Sequence, residues 1–176
     1  MKKKLTLIVC LVLCIFVFTA CEEKFEKGVE AFVSKAIEKA DEAHKRDYND
    51  NRKIAKRGTT HSGANIRINI ENNNIEGKFD FFGGRYEICE IRSLDKNTLK
   101  LNTEIHMDNE DFKIVLIDSR ENLTEIAEGN SEKELELQLD KDDYILKMVS
   151  KGSSGNFKID MEDNKNIEIT RIHDED

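Results

Sequence analysis

Four histidines, His44, His61, His106 and His173, are the first candidates for metal or acid–base chemistry. None of them stands at the His-x-x-x-His spacing of a metal-binding helix, and the chain has no HExxH, CxxC, GxSxG, P-loop or GxGxxG pattern. His106, between Ile105 and Met107, is expected on the polar face of a strand, and His61 in a Thr-Thr-His-Ser-Gly linker. The serines of Gly152-Ser153-Ser154-Gly155 have no base beside them, and the stretch reads as a loop joining two strands. Carboxylates form two clusters, Asp108-Asn109-Glu110-Asp111 and Asp140-Lys141-Asp142-Asp143. Calcium takes roughly six to eight oxygens, often from loops, so Asp140, Asp142 and Asp143 are the candidate ligands. Neither cluster has the EF-hand glycine, and a solvated hairpin turn is the competing reading. The remaining chemistry is aromatic. Phe81 and Phe82 must face opposite ways on a strand, and with Tyr86 they form the candidate ligand-binding patch.

The elements that must position these groups begin with an uneven distribution of oil. Met1 is followed by Lys2, Lys3 and Lys4, and Leu5 to Phe18 is apolar apart from Thr6. Fourteen helical residues span about 21 Å, short of a bilayer core of about 30 Å, which fits an export signal better than a membrane span. Without the first 20 residues, 25 basic side chains face 36 acidic ones, a formal charge of −11. That argues against a nucleic-acid partner, whose phosphates are bound by clustered Lys and Arg.

The apolar run ends in Phe18-Thr19-Ala20-Cys21. This order of charge, oil, small residues and cysteine resembles the lipobox of bacterial lipoproteins. The resemblance implies cleavage between Ala20 and Cys21 and a diacylglyceryl group on the Cys21 sulfur. Two acyl chains suffice for stable anchoring, each buried methylene contributing about 0.8 kcal/mol. Phe18 departs from the leucine usual at its position. Cys10 and Cys14 leave with the signal, so Cys89 is the one thiol left to the body. It lies in Tyr86-Glu87-Ile88-Cys89-Glu90-Ile91 with acidic neighbours, and is expected to be structural on a sheet face rather than reactive.

From Glu22 to Arg46, Phe25, Val29, Phe32, Val33, Ala36, Ile37, Ala40 and Ala43 fall in an arc of roughly 140°, the stripe of an amphipathic helix. The stripe can pack on the body, on another helix or on lipid. His44 to Gly58 carries Lys45, Arg46, Arg52, Lys53, Lys56 and Arg57, and reads as a solvated basic connector; contact with anionic headgroups or wall polymers is the sharper alternative. From Ala64 the period becomes two. Strands are expected at 64–70, 76–82 and 85–92, the last two a hairpin turning at Gly83-Gly84, then at 99–107, 112–118, 123–128, 135–139, 144–148, 157–161 and 167–172. Phe112 to Asp118 is nearly all apolar, as for a strand covered on both faces.

These ten segments, read as about eight or nine strands of one domain without intervening helices, predict a mainly β domain, an antiparallel jelly-roll-like sandwich over 63–176. It follows a signal peptide at 1–20 and, at 21–62, the lipidated cysteine, amphipathic helix and basic linker. The cadence from Phe112 through Asn122-Leu-Thr-Glu-Ile-Ala-Glu128, Leu135 to Leu139, Tyr144 to Val149 and Phe157 to Asp160 is similar to small lipoproteins of low-GC Gram-positive bacteria. Those look distantly like pre-peptidase C-terminal or carbohydrate-binding jelly rolls. The resemblance implies a core or corner role for Tyr144 and supplies no activity. The expectation is a non-enzymatic binding or envelope-structural module, lipid-anchored on the extracytoplasmic face of the cell membrane. It has no catalytic residue and no cofactor beyond the lipid on Cys21. Membrane lipid is its first partner, with an envelope polymer or surface protein as a further one. A carbohydrate- or calcium-binding sandwich and a hydrolase built on loop carboxylates are the alternatives.

Overall fold

The computed structural model describes residues 47–162 and 164–172, together with Lys39, Glu42 and Lys45. The signal segment 1–20, Cys21, nearly all of the expected helix, His44 and His173 lie outside the described residues. The chain divides into two units, Met1–Ala40 and Asp41–Asp176, and the strands of the described residues belong to the second. Among the described residues the period-two segments form nine strands: β1 (Thr60–Ala64), β2 (Arg67–Glu71), β3 (Asn74–Ser93), β4 (Asn97–Met107), β5 (Phe112–Ile117), β6 (Leu123–Glu128), β7 (Ser131–Leu139), β8 (Asp142–Met161) and β9 (Ile167–Arg171). Lys39, Glu42, Lys45, Asp47 and Tyr48 are helical, and a further short helix, α1 (Asn51–Ala55), follows before β1, its first turn capped by the Asp50 carboxylate. The nine strands make one antiparallel sheet.

The centre of that sheet corrects the expected connections. β3 and β8 are 20 residues each and pair along their length, from Ile75 opposite Ile159 to Ser93 opposite Asp142. Gly83-Gly84 therefore lies inside a strand instead of turning a hairpin. Gly152 to Gly155 likewise lies inside β8 instead of forming a loop between two strands. Gly84 has φ +108 and Gly152 has φ +141, and the ladder slips between Phe79 and Phe82 and again before Gly84. These glycines absorb bulges, which bend a paired strand without reversing it. The expected Thr-Thr-His-Ser-Gly linker is also corrected, since Thr60 to Ala64 pairs with Arg85 to Phe81 as β1.

The bend gives each half of β8 different neighbours. Its first half is flanked by β5, with β6 beyond; its second half is flanked by β4, with β7 beyond. Along the other side of β3, β2, β1 and β9 lie end to end, five residues each. Short strands keep that edge from offering a long template for foreign pairing.

One apolar cluster draws on both halves, with Ile75 and Phe79, Cys89 and Ile91, Leu101 and Ile105, Leu116, and Ile159 among its members. Four rings run through it, Phe82 to Phe79 to Phe112 to Phe157, with successive centroids 5.5, 5.7 and 5.8 Å apart. β5 is buried on both faces, as its composition predicts. Phe112, Ile114 and Leu116 enter this cluster, while Val115 and Ile117 enter a second one with Tyr48, Ile54, Ala55 and Val149.

Cys89 is fully buried in the larger cluster, and burial pushes its thiol up to about 12. The native thiol should therefore resist iodoacetamide at pH 8, with labelling at Cys89 by peptide mass spectrometry appearing only on unfolding. Above the ordinary thiol pKa the unfolded chain loses a proton that the native chain keeps until about pH 12. Stability should fall across that window, and the fall should be shallower in Cys89→Ala. An equally steep alkaline decline in both proteins would assign it to other groups.

Candidate functional site

The acidic cluster at 108–111 and the glycine–serine segment of β8, more than 40 residues apart, meet in the structure. The amide and hydroxyl of Ser154 both donate to Asp108, each at 2.9 Å. Asn109 accepts from the Ser153 hydroxyl at 2.8 Å and donates to the Gly152 carbonyl at 3.0 Å. Lys151 pairs with Asp111 at 2.7 Å, and the Ser150 and Ser153 hydroxyls lie 2.9 Å apart in a buried contact. Glu110 accepts from the amide and side chain of Asn130, and these bonds hold its carboxyl below the usual range. Asp108 and Asn109 thus hold β8 backbone at Ser154 and Gly152, while Glu110 holds the Asn130 amide.

The other acidic cluster is dispersed. Asp142 accepts from the amide and hydroxyl of Ser119 at 3.3 and 2.8 Å, and Asp143 pairs with Arg92 Nε at 2.7 Å. Asp140 has its carboxylate 3.9 Å from Lys96, while its backbone amide and carbonyl both bond the Tyr144 hydroxyl. The structure does not aim Asp140, Asp142 and Asp143 at a common point. Among the described residues no group of three His, Cys, Asp or Glu side chains is placed to hold a metal ion. Tyr144 is buried beside this turn.

The aromatic patch divides as alternation requires. Phe81 is 42% exposed, Phe82 has no exposed surface, and Tyr86 is half-buried. Phe82 is therefore a core ring and cannot line an open patch. The ring of His61 meets Tyr86 edge-on at 5.2 Å and lies 6.0 Å from Phe82. His106 is exposed, on the polar face of β4.

A further polar assembly lies under the basic connector. Arg52, Lys53, Lys56 and Arg57 are exposed as expected, but Tyr48, Ile54 and Ala55 pack against β5 and β8. Tyr48 is 4% exposed, with Lys113 and Lys151 ammonium groups 4.4 and 4.6 Å from its ring centre, and its hydroxyl donates to Glu128 at 2.7 Å. Burial, and then the Glu128 carboxylate, push the Tyr48 phenol far above its usual value. Ile54 is wholly covered. Lys147 is wholly covered too; it donates to the carbonyls of Ile54 and Lys56 at 3.0 and 2.8 Å and lies 3.4 Å from Glu87. Burial pushes the Lys147 amine down against the opposing pull of Glu87. Glu87 accepts from the Gly58 amide at 2.6 Å, and Arg85 reaches the Lys53 carbonyl.

This assembly has a signal in the sequence. On β8 the face carrying Ile145, Lys147 and Val149 is apolar except for the lysine, and on β5 the face of Lys113, Val115 and Ile117 is the same. A lysine between two apolar neighbours on one sheet face marks a covered face. The identity of the cover is not encoded there.

No family model and no curated protein sequence matches the chain. Among solved structures, the Yersinia pseudotuberculosis-derived mitogen is similar at 18% identity and a TM-score of 0.32, over 58% of this chain and 95% of its own. A likeness of that score carries no argument about this protein.

Proposed function

We propose that the protein is a lipid-anchored lipoprotein of the extracytoplasmic membrane face, whose body is a non-enzymatic binding or envelope-structural module. The observation that carries the reading is the order Lys2-Lys3-Lys4, an apolar run to Phe18, then Thr19-Ala20-Cys21. The body is read as a sandwich of two half-sheets joined through the bends of β3 and β8, because one apolar cluster takes side chains from both halves. The side chains with the chemistry to act as acids, bases or nucleophiles support the non-enzymatic part. Asp108, Asn109, Asp111, Asp142, Asp143 and Ser153 bond neighbouring segments, and Cys89 is buried.

Lipidation has a direct test in cells of the native host. Wild-type protein should carry acyl mass on Cys21 and enter the detergent phase, and Cys21→Ala should lose both. A wild-type chain with a bare Cys21 and its leader attached would end the reading.

A further inference from the structure

We infer that residues 47–58 form a strap that docks on the outer face of the sheet and is released from it as a unit while the sheet stays folded. The first support is the separation of the two apolar clusters. Tyr48, Ile54 and Ala55 pack with Val115, Ile117 and Val149, and none of these six belongs to the cluster that joins the halves of the sheet. Releasing the strap therefore opens the smaller cluster and leaves the aromatic run from Phe82 to Phe157 in place. Satellite clusters of this kind open at lower free energy than the main core.

The second support is the polar chemistry beneath the strap. Lys147 Nζ donates to two strap carbonyls, those of Ile54 and Lys56. Its carboxylate neighbour, Glu87, is on β3 and stays with it. When the strap leaves, Lys147 loses two carbonyls and regains water with its counter-charge still beside it. The cost of holding a buried ammonium is thereby relieved, which offsets much of the lost bonding. Tyr48 behaves alike: its partners Glu128, Lys113 and Lys151 are all on the sheet and are rehydrated together. Gly58, at φ +100 with open space around its Cα, provides a point about which the strap can swing before β1 begins.

The strap precedes β1 in the chain. With Cys21 lipidated, as proposed above, any load between membrane and sheet passes along it, although its release does not rest on that reading. Opening bares Val115, Ile117 and Val149.

Native-state hydrogen exchange on the full chain tests this. The amides of Lys53 and Ile54, bonded to the Asp50 carbonyl, and that of Gly58, bonded to Glu87, should exchange at least about 100-fold faster than the central amides of β5 and β8. Tyr48→Ala combined with Ile54→Ala should remove the remaining protection of these amides and create binding of a hydrophobic dye. Protection of β4 and of the second half of β8 should be unchanged. Strap and core amides exchanging at one common rate in the wild type would overturn the inference. So would a variant that loses protection in β4 and the strap together.

Discussion

Phe112→Ala is expected to lower the unfolding free energy by about 3–5 kcal/mol, the range for deleting a fully buried phenylalanine ring. The ring has no exposed surface and sits between Phe79 at 5.7 Å and Phe157 at 5.8 Å. Those neighbours come from β3 and from the second half of β8, whereas Phe112 opens β5, which pairs with the first half of β8. Its removal leaves a void at the junction of the two halves, where bent, fully paired strands have little freedom to collapse. Against a domain stability of about 5–15 kcal/mol the loss is a large fraction. Urea unfolding followed by far-UV circular dichroism would show a much lower midpoint with an unchanged slope. A loss below about 1 kcal/mol would mean the ring does not join the halves.

Gly77→Ala, a change of one methyl group, is expected to cost about 1–3 kcal/mol by overpacking. A Cβ built on Gly77 would lie 2.1 Å from Phe157 Cε1 and within 3 Å of two more atoms of that ring. Gly77 stands opposite Phe157 across the β3–β8 ladder, so backbone movement would disturb the central pairing, and ring movement is resisted by Phe112. Glycine is required here for space, since no positive φ is involved. Phe157→Leu removes the clashing ring edge at its own cavity cost. The double variant should therefore be more stable than the sum of the two single losses, with a coupling of about 1 kcal/mol or more. Strict additivity would place the strain of Gly77→Ala elsewhere.

Both effects concern contacts that strand periodicity does not reveal. Alternation at Leu99, Leu101, Ile105 and Met107 marks the buried face of β4 correctly, and the apolar run of Phe112 to Ile117 correctly marks a strand covered on both sides. Gly83-Gly84 is ambiguous by nature. Glycine admits the positive φ of a hairpin turn and equally the bulge of a continuous strand, and the choice depends on whether its flanks pair with each other or with a third strand. Here both flanks pair with β8, and the same ambiguity was resolved the same way at Gly152 to Gly155. The polar clusters are ambiguous for a related reason. A carboxylate in a row of carboxylates can be solvated, coordinate a metal or hold backbone, and the bonds to Ser119, Arg92, Ser153 and Ser154 come from segments remote in sequence.

The basic stretch from His44 to Gly58 shows the limit most clearly. Its composition is that of a solvated connector, and helix and sheet periods say nothing of two isolated apolar residues, Tyr48 and Ile54. The sheet beneath them carries the complementary sign, with Lys147 set between Ile145 and Val149, and Lys113 preceding Val115 and Ile117, on one face. Linear order alone determined the strand-rich class of the body, its two-faced fifth strand and the cationic, then apolar order of residues ahead of Cys21. These follow from local period and composition, which each segment carries in itself. Tertiary structure alone decided that two glycine pairs bend strands, that the acidic rows bond to distant segments and that a basic segment covers a buried lysine. Each of those outcomes depends on which remote surface a segment meets, and burial free energy is gained only where both surfaces fit.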